Sequence, residues 1–423
     1  MNAMKPSEYR QLSRLDTLPQ TGWFNRWCLN TLLAHLPELE YGTLDLQLPS
    51  GQLLQFGHAR DGEPRAEVHL RHFRALRRLV RGGAIGWAEG WMEGDWDCPD
   101  LVALFRWALG NERQLQALAK GNALLRGLNR LRHLLRTNTR RGSRRNIAYH
   151  YDLGNDFYSL WLDPSMTYSA ALYPQGAENH GPDALHAAQL HKYRQICEQL
   201  ELQPGQTVLE IGCGWGGFAE VAAREFGAEV HGITLSVEQL KYARERIERA
   251  GLNEQCRFTL TDYRDLDSHY DHIVSIEMFE AVGEEHWPTY FDQVKRCLKP
   301  GGRAVLQIIS IEEARFERYR NGADFIQTYI FPGGMLPSPE RLRTAIQDAG
   351  MTLDFEQTFA SGYADTLREW RHSFIAQWPR VQALNAGNSS FDERFRRMWL
   401  YYLAYCEAGF RHGSIDVGLY RLS

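Results

Sequence analysis

The sequence predicts an α/β protein: a doubly wound parallel sheet preceded by a small N-terminal α/β domain. Three observations carry this expectation. From about residue 146, apolar runs of strand length alternate with segments of helical period. The first of those strands ends in a turn with glycines at 212, 214, 216 and 217. The first 110 residues carry a separate pattern with turns of its own.

In that N-terminal part, TLDLQLPSGQLLQFG alternates apolar and polar positions on both sides of a Pro-Ser-Gly turn, as a hairpin does. AEVHLRHF then reads as a strand and PDLVALFRWAL as an apolar helix. Residues 1–110 are therefore expected to form an accessory domain.

Residues 111–145 differ in kind. Between Arg113 and Arg145 there are ten Lys and Arg and no acid, while Leu124, Leu128, Leu131 and Leu135 recur at helical spacing. This predicts a basic amphipathic helix running into the linker RTNTRRGSRR. Such a helix can pack on its own protein with a solvated basic face, or it can meet an anionic lipid surface. A nucleic-acid partner is not expected: 48 Lys and Arg against 52 Asp and Glu leave a formal net charge of -4.

Composition excludes other classes. The seven cysteines are scattered and never spaced as CxxC, so neither a disulfide framework nor a zinc cluster is suggested, and no metal site is expected. No segment approaches the roughly 18 uninterrupted apolar residues of a membrane span, and MNAMKPSEYRQLSRL lacks a signal-peptide core. A cytoplasmic protein, peripheral to the inner face of a membrane, is the expectation. A homodimer stays open.

Residues 146–423 are expected to form the catalytic domain, with TVLEIGC, EVHGITL, RFTLTDY, HIVSIEMF and RAVLQIIS as strands and GFAEVAAREFG and SVEQLKYARERIERAG as helices. In VLEIGCGWGGFAEVA the glycines permit positive φ and bring the backbone close to a ligand at a helix N-terminus. A nicotinamide site would place an acid at the end of the next strand to hold the ribose, and here that strand ends Gly232-Ile233-Thr234-Leu235-Ser236. An acid two residues before the first glycine, Glu210, is instead the pattern of Rossmann-like class I methyltransferases that use S-adenosylmethionine, and TDYRD suits their adenine-side loop.

A narrower likeness lies in YHYDLGNDFYSLWLDPSMTYSAALY, VLEIGCGWGGFAEVA, GITLSVEQ, MFEAVG, DFIQTYIFPGGMLPS and MWLYYLAYCEAGFRHG. Taken in order, these resemble the cyclopropane-fatty-acyl-phospholipid synthase and mycolic acid cyclopropane synthase family, nearest its plant-type branch. The resemblance implies methyl transfer from S-adenosylmethionine to a cis double bond of a membrane phospholipid, followed by closure of a three-membered ring. It implies cofactor contacts at Tyr168, Ser169, Glu210, Gly212, Gly214, Gly216, Gly217, Thr234, Leu235, Gln239, Tyr263 and Arg264.

An alkene is a weak nucleophile, so this chemistry asks for a dry, apolar site that holds the methyl in line. Aromatic faces can stabilise the resulting carbocation by roughly 0.5 to 2 kcal/mol each. Ring closure then needs a base. The resemblance implies a bound bicarbonate for it, held by Glu280 and Tyr363. Two positions depart from the family pattern: Gln307 stands where most members have His, and Ala170 where they have Cys. Gln cannot carry charge, so escape of the carbocation by hydride shift and proton loss, giving a methyl-branched or methylene product, is the alternative. Cys406 falls where the family has a cysteine, but Phe391, Phe395, Met398, Tyr402 and Cys406 share a helical spacing that also suits a core position. His150 has no second ligand at metal spacing. A methyltransferase for RNA or a small polar metabolite would want a polar strand end where this chain has EMFEAVG, and a non-catalytic lipid-binding scaffold would have little use for the glycine loop.

Overall fold

Two compact units emerge from the chain: one of residues 1–131, 322–325 and 392–412, the other of 132–321, 326–391 and 413–423. The computed structural model describes residues 22–35, 39–115, 153–176, 180–322, 324–384 and 391–423. The contiguous division expected from the sequence thus gives way to an interleaved one, in which helix Glu393–His412 groups with the N-terminal part. Most of the basic stretch, and His150, lie outside the described residues.

In the first unit, helix α1 (Trp23–His35) precedes strands β1 (Gly42–Gln47), β2 (Leu53–His58) and β3 (Arg65–Leu70). Helix α2 (Arg74–Met92), the short β4 (Trp96–Asp97) and α3 (Leu101–Gly110) follow. The sheet order is β2-β1-β3-β4, with the β1/β2 hairpin where the Pro-Ser-Gly turn predicts it. Asp95 is buried at 0% exposure and is neutralised by Arg74 and Arg78.

The second unit contains the glycine turn and the EMFEAVG segment. It starts with the short α4 (Asn155–Ser159) and α5 (Pro182–Leu200), and then strand and helix alternate. The succession is β5 (Thr207–Ile211), α6 (Gly217–Phe226), β6 (Glu229–Thr234), α7 (Val237–Ala250), β7 (Cys256–Leu260), β8 (Tyr270–Ile276), α8 (Trp287–Cys297) and β9 (Leu298–Ile311). Helices α9 (Glu313–Arg320) and α10 (Pro339–Asp348), strand β10 (Leu353–Thr358), helix α11 (Ala360–Ala383) and strand β11 (Ile415–Leu422) complete it.

The seven strands run in the order β10-β11-β9-β8-β5-β6-β7. β9, β8, β5, β6 and β7 are parallel, and their inner residues, such as Val208, Leu209, Ile273, Val274, Val305 and Leu306, are buried because helices cover both faces. β11 pairs antiparallel with β9 and β10. That antiparallel edge has no counterpart in the sequence expectation.

Strand order reverses between β5 and β8, so the crevice outside their carboxyl ends is where an open α/β sheet binds ligands. Both sequences singled out above, the glycine turn and EMFEAVG, leave the sheet there.

Candidate active site

The glycine turn folds back on β6: the N–H groups of Gly212 and Cys213 both donate to the carbonyl of Ile233, at 3.0 Å. Gly212, Gly214 and Gly216 take φ values of +83°, +50° and +80°, where L side chains are strained. A Cβ on Gly216 would lie 3.2 Å from the Ala243 Cβ, so this glycine serves packing. A Cβ on Gly214 would meet no protein atom within 4 Å. That open face lies beside the N-terminus of α6, which begins at Gly217.

Around the cradle stand the other cofactor candidates. Glu210 is 3% exposed and its Oε2 has no hydrogen-bond partner. Burial pushes its carboxyl well above the usual range, against the pull of Arg246 and Lys192. After β6, the Thr234 hydroxyl donates to Gln239 Oε1 at 2.9 Å, and Ser236 caps α7; half-buried Leu235 sits between them. After β7, Asp262 grips Arg264 through its backbone N–H and its guanidinium, which lies over the Tyr263 ring with its central carbon 5.5 Å from the centroid. Tyr168 is half-buried, and the Ser169 Oγ accepts from Lys192 at 2.7 Å.

The second cluster forms where β8 ends. Glu277, which the sequence reading passes over, is the first residue beyond the strand and sits at φ 49°. A side chain in that region costs roughly 1 kcal/mol or more, and here the carboxylate is held from three sides. Its Oε1 accepts from the Ala170 N–H at 2.8 Å and from the Gln307 amide at 2.7 Å, and its Oε2 accepts from the Tyr363 hydroxyl at 2.7 Å. Four segments meet there: the loop before α5, the end of β8, β9 and the first turn of α11. Ala170 takes part through its backbone N–H, so its side-chain identity is immaterial to this contact. Burial pushes the Glu277 carboxyl up, and the bonds from Ala170, Tyr363 and Gln307 and the charge of Lys192 pull it back.

Glu280 lies one turn further on, in a 3-10 helix over Phe279–Ala281. Its Oε1 accepts from the Ile309 N–H at 2.6 Å and its Oε2 is buried without a partner. Burial, and next the charge of Glu277, push its pKa up to about 8. Both acids are half-buried. The sequence expectation grouped Glu280, Gln307 and Tyr363. The structure instead puts Glu277 at the meeting point of Gln307 and Tyr363, with Glu280 beside it. Two acids three residues apart just after an apolar strand were the available signal.

Aromatic rings wall the same region. Tyr168 packs against Tyr158 at 5.4 Å, Trp161 at 5.6 Å and Trp370 at 5.2 Å, and the edge of Trp370 meets Tyr363 at 6.1 Å. Cys406 is half-buried on helix Glu393–His412, in the first unit, whereas Glu280, Gln307 and Tyr363 belong to the second. Among the described residues, no group of three or more His, Cys, Asp or Glu is gathered as a metal site would need, and no helix is long and apolar enough to cross a membrane.

A glycine cradle with room for a ligand, an unsatisfied buried acid at the strand end beneath it, and strand order 3-2-1-4-5-7-6 counted within the sheet define a class I S-adenosylmethionine-dependent methyltransferase. Comparison with known proteins narrows this. Residues 138–419 match the family model "Mycolic acid cyclopropane synthetase". A tuberculostearic acid methyltransferase of Mycobacterium tuberculosis is 39% identical over 351 residues, 81% of this chain and 79% of the relative. A cyclopropane-fatty-acyl-phospholipid synthase of Escherichia coli is 36% identical over 367 residues, 86% of this chain and 90% of the relative. Among solved structures, a mycolic acid cyclopropane synthase complexed with SAH and CTAB superposes with a TM-score of 0.59 at 31% identity, covering 66% of this chain and 97% of that one. The chain belongs to the mycolic acid cyclopropane synthetase family.

Proposed function

We propose that this protein methylates a cis double bond in a phospholipid acyl chain and closes the cyclopropane ring, with Glu277 as the proton acceptor. The observation that carries this reading is the convergence of the Ala170 N–H, Gln307 and Tyr363 on one carboxylate at the switch-point crevice. S-adenosylmethionine, when bound, supplies an electrophilic methyl on sulfur. Gly212, Gly214, Gly216 and Gly217 would hold it, with Glu210, Thr234, Leu235, Gln239, Tyr263, Arg264, Tyr168 and Ser169 around it.

The bond balance sets what the protein must do. The alkene pair forms a new C–C bond as the methyl–sulfur bond breaks, leaving a cation on the neighbouring chain carbon. A C–H bond of the transferred methyl then breaks; its electron pair makes the third ring bond and its proton goes to the Glu277 carboxylate. Tyr168, backed by the buried rings of Trp161 and Trp370, excludes water and offers its π face to the cation. A bare carboxylate beside a cation invites alkylation. Three donors on Glu277 lower that nucleophilicity while leaving lone-pair capacity for a proton.

A bicarbonate does not fit this arrangement, because the donors that would hold it already bind Glu277. Glu280 becomes a neighbour that shapes the field, and Cys406 has no role in this scheme. For the approach to the bilayer, the basic stretch from Arg113 to Arg145 would supply attraction to anionic lipid that weakens with salt.

The test uses S-adenosylmethionine with a fully deuterated methyl and liposomes of cis-monounsaturated phospholipid, with the fatty acids read by mass spectrometry and NMR. Two retained deuteriums and no alkene signal are expected. Two deuteriums with an alkene signal would assign a methylene product. Three deuteriums, or no product, would overturn the assignment of Glu277 as acceptor for a methyl proton.

A further inference from the structure

Behind the carboxylate lies a buried cation that the chemistry above leaves unused. Lys192 is 0% exposed, on the face of α5 that also buries Leu185, Ala188, Gln189, Tyr193 and Ile196. A lysine inside a packed helix face is costly unless its ammonium is satisfied. Its Nζ donates to the Ser169 Oγ at 2.7 Å and to the Ala170 carbonyl at 3.0 Å, both neutral oxygens.

One turn earlier on the same helix, the Gln189 amide donates to the Ser169 carbonyl at 2.9 Å. That carbonyl shares its peptide with the Ala170 N–H that binds Glu277. The Ala170 carbonyl is in turn shared by Lys192 and, at 3.3 Å, by Gln307. The turn at Ser169 and Ala170 is therefore clamped by α5 on one side and by β9 on the other, and Glu277 closes the loop through Gln307 at 2.7 Å. Hydrogen bonds linked in this way polarise one another.

We infer that Lys192 is a positioning residue for Glu277: it fastens the turn whose N–H holds that carboxylate and sets a buried positive charge behind it. This rests on the assignment of Glu277 as proton acceptor. The charged and titratable groups facing the pair are Glu280 from the turn after β8, Tyr363 from α11, Glu210 from β5 and Asp163 from the loop before α5. Asp163 is itself paired with His186 at 2.7 Å, and Glu210 feels Arg246. The Tyr193 ring lies 4.9 Å from the Lys192 ammonium. Lys192 is thus the positive charge that the buried acids share. Burial pulls its own pKa down to about 7, against the raising influence of Glu277, Asp163 and Glu210.

The experiment compares kcat against pH for the wild type, Lys192→Met, Lys192→Gln and Lys192→Arg, with binding of S-adenosylhomocysteine measured by calorimetry. Removing the charge withdraws an influence that favours ionised Glu277. The acid limb of the Met and Gln profiles should therefore move to higher pH, by about one unit, and Arg should bring it back toward the wild-type position. Gln keeps a hydrogen-bond donor without the charge, so it answers if the Met chain does not fold. A uniform loss of kcat with an unmoved limb in the Met and Gln variants would overturn the inference. Glu277→Gln is the separate control: wild-type turnover in that variant would sink the assignment of the base itself, whereas lost turnover together with an unmoved Lys192 limb would sink the lysine's role alone.

Discussion

The Tyr363 hydroxyl donates to Oε2 of Glu277 at 2.7 Å, joining the first turn of α11 to the end of β8 across 86 positions of sequence. The bond favours the ionised carboxylate, because the phenol can donate to it and burial otherwise opposes the charge. Tyr363→Phe keeps the ring that meets Trp370 and removes the donor. Turnover should fall about 10- to 100-fold, the range of roughly 1.4 to 2.7 kcal/mol expected for a bond to a charged group. The acid limb of the kcat profile should also move to higher pH, since Glu277 then ionises later. An unmoved limb would show that the hydroxyl does not govern the charge of Glu277.

Glu277 itself gives a sharper test. Its φ of 49° suits glycine better than any other residue, so Glu277→Gly should relieve strain while freeing the Ala170 N–H, Gln307 and Tyr363. The variant should lose about 10²- to 10⁴-fold in turnover and recover part of it when bicarbonate or formate is added. The wild type should be indifferent to bicarbonate. A wild-type activity that collapses in carbonate-free buffer and returns on addition would mean that a small anion, and not Glu277, takes the proton.

These expectations mark how far the sequence could be read. The parallel sheet was legible because buried strands such as VLEI and HIVSI carry apolar residues on both faces and the helices between them carry a 3.6 period. The glycine cradle was legible because its residues are consecutive. Glu277 was not. Its role depends on Ala170, Gln307 and Tyr363, which lie 107, 30 and 86 positions away, and nothing local separates it from Glu280 three residues on. Lys192 was hidden for a similar reason, since a lysine in HKYRQIC reads as a solvated helix position until the loop that covers it is in place. β11 was missed because DVGLYRL follows a long helix at the chain's end, and only pairing with β9 makes it a strand.

At Gly214 the space that a Cβ would enter holds no protein atom within 4 Å, and the φ of +50° is one that alanine tolerates at modest cost. Gly214→Ala should therefore cost stability only through its left-handed backbone, about 1 to 2 kcal/mol, and weaken S-adenosylmethionine binding at least tenfold, because the added methyl fills room kept for the ligand. Gly216→Ala should lower the melting temperature further, since its Cβ would press on Ala243 at 3.2 Å. Equal affinities for Gly214→Ala and the wild type would place the cofactor elsewhere.

Glu280 predicts a pH dependence of stability with a definite sign. Its carboxyl is held up to about 8, first by burial and then by the charge of Glu277, so at neutral pH it keeps its proton in the folded protein. In the unfolded chain it releases that proton near the ordinary carboxylate value of about 4.3. Between those two values the folded state binds more protons than the unfolded one, so this residue's contribution to stability is fully present below the lower value and is lost as pH rises through the upper one. Glu280→Gln mimics the protonated shape, keeps an oxygen to accept from the Ile309 N–H, and carries no proton to lose. Melting temperatures of the two proteins should lie closest near pH 5 and diverge steadily toward pH 8, with the Gln variant the more stable. Parallel curves across that interval would mean that Glu280 ionises in the fold much as it does in the open chain.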